Sequence, residues 1–333
     1  MSELILSTNG DLHGLNLVLL ENALLRVAIL PQLGGKIWQI TYKPLAADLL
    51  WHNPSVPPAL HPLHACYDDL WAGGWDELFP NDEATEFLGH QLPDHGELWT
   101  GNFTAEPFRE PDSVGIRLSF VTPVTRFLVE RTIRLRAGQA CLHIDYRFTN
   151  QGAASMPFLW KLHPAFAVGP SHRIDLPPMI IVREPAFEGT LAGAPLEFPW
   201  PHAPLPTGSI DLRQVPDAAS GALHFFYGVG SDQGWCALTN QATGLAAGLR
   251  YDPAVFPTCW LFATHGGWQG LNVAVLEPAT GYPFQLDKMV AANRAPWLAP
   301  GESLETSVLF TTQTGLQSVS AITASGQFLP GVS

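Results

Sequence analysis

Charge is scarce in this chain. Of its 333 residues only 14% are Asp, Glu, Lys or Arg, and the basic ones are the scarcer: 17 Lys and Arg against 30 Asp and Glu, a net charge of -13. That balance argues against a nucleic acid or an anionic membrane surface as partner, because both require a basic face. It favours neutral or cationic small molecules. Cysteine is also rare. Cys66, Cys141, Cys236 and Cys259 are scattered with no C-x-x-C pair, so they read as buried thiols in a reducing compartment. No apolar run approaches the ~18 residues of a spanning helix. The start, MSELILSTNGD, lacks a basic segment followed by an apolar one, and the expected location is cytoplasmic. No Walker loop, G-x-G-x-x-G turn or zinc spacing is present, so neither cofactor nor metal is expected. His61, His64 and Cys66 lie close together but lack a second ligand pair, and they are read as no zinc site. Amphipathic periods near 3.6 are absent beyond about two turns of helix.

The chain does have turns and aromatics: 30 Gly, 30 Pro, 18 Phe and 11 Trp. That is the composition of many short strands joined by turns. Strands are expected over 15–20, 24–30, 36–42, 114–121, 126–137 and 140–150. After an irregular, Pro-rich excursion at 184–221 they resume at 223–228, 234–240, 244–251, 258–264, 272–278 and 303–312. The clearest is ACLHIDYRFTN. Leu142, Ile144, Tyr146 and Phe148 fall on one face, and Cys141, His143, Asp145 and Arg147 on the other, the period of a half-buried antiparallel strand. The expected fold is all-β and mainly antiparallel: one domain over 1–318, then a C-terminal tail at 319–333.

The stretch that breaks this rhythm is 73–100, GGWDELFPNDEATEFLGHQLPDHGELWT. Neither period runs through it, so it is expected to be loop. It collects Asp76, Glu77, Asn81, Asp82, Asp94, His95 and Glu97 among Trp75, Phe79 and Trp99. Flat aromatic faces beside hydrogen-bonding groups suit a sugar, which has apolar C–H faces and a hydroxyl edge. An ordered surface loop solvated by its acids is the plain alternative.

Two strand ends add candidates. FLWKLHPAF places Lys161 and His163 at the end of an apolar run, and VAVLEPATGYP drives such a run into Glu277. A carboxyl group there is costly to bury unless paired, and tends to a raised pKa suited to acid–base work. The plain alternatives are a core histidine bonded to backbone and a strand-end acid facing water.

Taken in order, LPQLGGKIWQITYK, LLWHNP, GGWDELFPN, LPDHGELW, WKLHPAF and LNVAVLEPATGYP resemble the aldose 1-epimerase, or galactose mutarotase-like, family over roughly residues 15 to 312. The resemblance implies a β-supersandwich with a groove on one sheet. It implies Glu277 as general base, His163 as general acid and His95 as the histidine that orients the ring-oxygen side. Asp252 in RYDPAVFP lies near the family's hydroxyl-binding acid. Asn81, Asp76, Trp75, Trp99 and Lys161 complete the expected binding set. Where the family often carries an arginine near its first histidine, this chain has Glu97, Leu98 and Trp99. Lys161 is the candidate replacement for that charge. The acidic central stretch also disfavours a sugar phosphate.

The implied reaction interconverts α and β anomers of a free sugar. A base removes the anomeric hydroxyl proton while an acid protonates the ring oxygen, in a monomer or homodimer. Two other functions fit the residues. A glycoside hydrolase or lyase would need two carboxyl groups about 5–9 Å apart, which Glu277 with Glu97, Asp76 or Asp94 could supply. A non-catalytic sugar-binding protein would keep the groove without needing an acid–base set.

Overall fold

The computed structural model describes residues 4–331. Its regular secondary structure is nearly all strand, and the strands of its sheets pair antiparallel. The two α-helices among the described residues, Tyr67–Leu70 and Leu286–Ala291, are one or two turns long. Chain packing defines two compact units. One holds the residues up to Pro164 together with Thr280–Val308; the other holds Ala165–Ala279 with the residues from Leu309 onward. Each is built from two separate lengths of chain, so no linker composition marks the division.

The first unit is a two-layer sandwich. One layer runs through Ile5–Leu12, Leu15–Glu21, Leu25–Leu30, Lys36–Tyr42, Trp75–Leu78 and the first four residues of Lys161–Phe166. The facing layer contains Cys141–Asn150, Phe127–Arg136, Ser113–Val121 and Thr104–Arg109 in that order. The alternation seen in the sequence decides which side packs. Leu142, Ile144, Tyr146 and Phe148 are buried, while Asp145 and Arg147 are exposed.

In the second unit one sheet orders Asn272–Ala279, Thr258–His265, Ala222–Val229, Ile180–Arg183 and Glu197–Pro199. The other pairs His172–Asp175, Trp235–Asn240 and Leu245–Arg250 with the far half of Ser303–Gln313.

Four expectations change. The stretch 73–100 is not wholly loop: Trp75–Leu78 is a strand, and Thr85–Phe87 pairs with His90–Leu92 as a small hairpin. All four residues of Trp75–Leu78 are buried, and a strand covered on both faces leaves no period of two to read. The excursion at 184–221 contains short strands at Glu197–Pro199, His202–Leu205 and Gly208–Asp211. The residues from 319 are not a loose tail, since Val319–Ile322 pairs with Phe328–Pro330. Val319, Ile322 and Phe328 pack with Trp235, Ala237, Ala246 and Leu316. Finally, Cys236 and Cys259 are buried, but Cys66 is exposed and Cys141 only half-buried.

Candidate active site

Strand register sorts the acids of the central stretch. His163 lies opposite Asp76, Leu162 opposite Glu77, and Lys161 opposite Leu78. Residues directly opposite each other share a face, so Asp76, Lys161 and His163 project from one side of the sheet. Ile37 lies opposite Trp75, which puts Lys36 and Trp38 on that same side and Trp75 on the other with Glu77.

Glu77 points between the layers. Its carboxylate accepts from Arg131 Nη1 at 3.2 Å, Tyr146 Oη at 2.6 Å and Trp160 Nε1 at 3.0 Å. Burial pushes its pKa up; the Arg131 charge and these hydrogen bonds oppose that without cancelling it. Adjacent in sequence, Asp76 and Glu77 thus serve opposite sides of one strand.

On the Asp76 side, Lys36 Nζ lies 3.0 Å from Asp76 Oδ2, and Lys161 Nζ lies 3.0 Å from Asp82 Oδ1. Both lysine side chains are buried, and a buried ammonium is tolerable only when paired. Tyr67, the first residue of the short helix, reaches over them. Its hydroxyl donates to Asp76 Oδ2 at 2.8 Å and lies 3.3 Å from His163 Nδ1. The edge of Trp71 packs on the His163 ring.

The small hairpin brings in the remaining groups. Asn81 Nδ2 donates to the carbonyls of Glu83 at 2.8 Å and Pro93 at 2.7 Å, closing the loop between Asp82 and Asp94. The next turn is tight: a side chain on Gly96, at φ +78°, would collide with the carbonyl of Phe79. His95 itself has φ +56°, a left-handed conformation that costs of order 1–3 kcal/mol and marks functional sites more often than chance.

Its ring is enclosed by acids. Nδ1 is 2.9 Å from Asp94 Oδ1, and Nε2 is 3.5 Å from Asp82 Oδ1 and 4.0 Å from Asp68 Oδ1. The Tyr67 ring stacks on it at 4.2 Å with 14° between planes. Asp94 ties the stack together, accepting from the Tyr67 backbone N–H at 2.8 Å through its second oxygen.

The two imidazoles are therefore biased in opposite directions. Burial pulls the pKa of His95 down, but Asp82 and the hydrogen-bonded Asp94 overcome it and leave His95 above the ordinary histidine value. His163 is held well below that value by burial and then by the cations Lys161, His95 and Lys36. The expected acid, His163, is the imidazole biased toward the neutral form, and His95 is the one biased toward the protonated form.

The other expected residues are distributed as follows. Trp75 has no exposed surface and lies on the interior side of its strand. Trp99 is buried, meets the Tyr67 ring edge-on, and donates Nε1–H to the Asp94 carbonyl at 2.9 Å. The more accessible aromatic face is Trp38, half-buried and stacked on His52 at 3.8 Å. Glu97 accepts from the Val124 N–H at 2.6 Å and from the Thr125 N–H and hydroxyl at 3.1 and 2.6 Å, which fixes the turn before Phe127. His61 packs near Trp99, while His64 and Cys66 are exposed.

In the second unit, Glu277 lies opposite Trp260 near the end of Asn272–Ala279 and is 1% exposed. Asp252 is exposed, and its Oδ1 accepts from the Ala254 N–H at 2.9 Å, so it orders its own turn.

Sequence reasoning missed Lys36 and Tyr67, did not single out Asp82 within the central stretch, and weighed Asp94 only as a hydrolase carboxylate. Tyr67 carried no signal, because it follows an irregular Pro-rich segment. Lys36, a lone cation opening an apolar strand, carried a faint one.

No family model matches the chain. Solved structures do. A Klebsiella pneumoniae protein provisionally named an aldose 1-epimerase is 16% identical, with a TM-score of 0.71 over 93% of this chain and 83% of its own. A galactose mutarotase-like protein from Clostridium acetobutylicum is 13% identical, with a TM-score of 0.70 over 94% and 99%. One from Lactobacillus casei is 16% identical, with a TM-score of 0.62 over 89% and 100%. Together with the antiparallel, nearly all-β architecture, these likenesses give this chain the galactose mutarotase-like fold.

Proposed function

We propose that the protein is a cofactor-independent aldose 1-epimerase acting on a free, unphosphorylated sugar. The observation that carries this is the pair of imidazoles of opposite charge preference, separated by the Tyr67 ring. His95, biased toward the protonated form, is the proposed proton donor and His163, biased toward the neutral form, the proposed acceptor; their pKa values are pushed in opposite directions, as acid–base assignments require.

In the proposed reaction, His163 Nε2 takes the proton of the anomeric hydroxyl while His95 gives its Nε2 proton to the ring oxygen. The bond between anomeric carbon and ring oxygen breaks, and the carbonyl forms. Rotation about the adjacent carbon–carbon bond and reclosure reverse both transfers, and no atom is gained or lost. The likeness of the fold to mutarotase-like proteins supports the reading. The first-unit carboxylates do not favour hydrolysis, because Asp76, Asp82, Asp94 and Glu97 are all committed to cations or hydrogen bonds.

Glu277 is the alternative base to His163, argued from the second unit alone: it is a buried carboxyl at the end of an apolar strand. Polarimetry on pure α and β anomers of common aldoses, corrected for the spontaneous rate, tests the function. Wild-type protein should exceed that rate, and His95→Asn should lose about 100-fold or more in turnover. No acceleration on any aldose sinks the epimerase reading. If Glu277→Gln silences turnover and His163→Gln leaves it intact, the base is Glu277 and His163 only binds.

A further inference from the structure

Tyr67 touches both imidazoles, one with its ring and the other with its hydroxyl. A phenol has one proton to donate, and here it goes to Asp76 Oδ2 at 2.8 Å. That carboxylate is also held by Lys36 at 3.0 Å and can only accept. The phenol oxygen, 3.3 Å from His163 Nδ1, is then left as an acceptor, and the group that fits it is an Nδ1–H. A neutral imidazole carries one such proton, so its lone pair falls on Nε2.

On its other side the Tyr67 ring stacks against His95 at 4.2 Å, a position in which an aromatic face favours a cation. The tyrosine backbone holds Asp94, which is bonded to His95 Nδ1. The contacts are thus asymmetric: an oxygen lone pair faces one histidine, and a π-face with a shared carboxylate faces the other.

We infer that Tyr67 is a positioning residue that fixes His163 as its Nδ1–H tautomer, with Nε2 free to accept a proton, while holding His95 as the donor. This rests on the acid–base reading above. Tyr67 does not exchange protons with the sugar. When His163 gains a proton at Nε2, its Nδ1–H bond to the phenol oxygen shortens, and the phenol passes that polarisation to the Asp76 carboxylate. The developing charge is thereby offset beside two lysines that would oppose it.

The test is Tyr67→Phe in the full chain, read in two ways. ¹⁵N NMR of the histidine side chains reports the tautomer without reference to turnover. Wild-type His163 should show protonated Nδ1 and bare Nε2, and Tyr67→Phe should shift the population toward Nε2–H. In anomer interconversion the variant should lose about tenfold or more in kcat with KM changed less than about twofold, and its acid limb should move. A wild-type Nε2–H tautomer, or a variant with unaltered kcat and pH profile, overturns the inference. The predicted tautomer shift without catalysis by either protein would uphold the control by Tyr67 and sink the epimerase reading instead.

Discussion

The acids of the central stretch show how little residue type says about duty. Asp76, Glu77, Asp94 and Glu97 lie within 22 positions. Glu77 and Glu97 are internal fasteners, Asp76 holds Lys36 and the Tyr67 hydroxyl, and Asp94 helps raise the pKa of His95. Glu97 is the most readily tested. Burial raises its pKa, and three hydrogen bonds from Thr125 and Val124 pull against that. Glu97→Gln leaves at least one of those donors facing an amide N–H, so it should destabilise by about 1–3 kcal/mol. Urea unfolding would show this as a lowered midpoint at unchanged slope, while kcat on a working sugar stays within about twofold. A large loss of turnover with normal stability would mean that Glu97 belongs to the chemistry after all, as the hydrolase alternative requires.

Among elements, the C-terminal hairpin is the clearest case of structure beyond what sequence pattern suggests. Its strands are four and three residues long, too short to show a period. It holds by packing Val319, Ile322 and Phe328 into the cluster around Trp235 and by the Val319 N–H bond to Asp175 at 2.9 Å. Phe328 is 1% exposed. Phe328→Ala should therefore cost about 3–5 kcal/mol, visible in thermal unfolding, whereas a loose tail would tolerate it without change. The central strand Trp75–Leu78 makes the complementary point. Its assignment to the sheet comes from pairing with Lys161–Phe166 and Lys36–Tyr42, and those partners are distant in sequence.

For the molecule as a whole, buried neutral histidines set the acid limit. His224 is 3% exposed, and burial with the nearby His265 holds its pKa at about 4. Its folded value is depressed, so between about 6.5 and about 4 the unfolded chain binds a proton that the folded chain does not. Stability is complete above that window and falls as the pH drops through it, by on the order of 3 kcal/mol from this residue. His163 acts in the same direction. His95 acts oppositely: its folded value is raised, so its contribution is full below the ordinary histidine pKa and is lost as pH rises through the folded one. Melting temperatures at pH 7.5 and 5.0 should show a decline that His224→Gln reduces. Equal declines in both proteins would contradict the assignment.

The sequence by itself determined the fold class and pointed to a candidate site. Period-two runs such as Cys141–Asn150 declare half-buried antiparallel strands, because one face must be apolar and the other wet. The aromatic and acidic density of 73–100 singles out a candidate site, since such groups are expensive to gather without a use. The tertiary structure decided which groups face each other and with what charge. That the pKa of His95 is raised and that of His163 lowered depends on Asp82 and Asp94 crowding the first and on burial with Lys36 and Lys161 flanking the second. Register across paired strands and the closure of the 83–93 loop bring those groups together. Tyr67 gains its place only because a one-turn helix lays it between them. Burial and Coulomb interaction act through space, and distance along the chain does not record them.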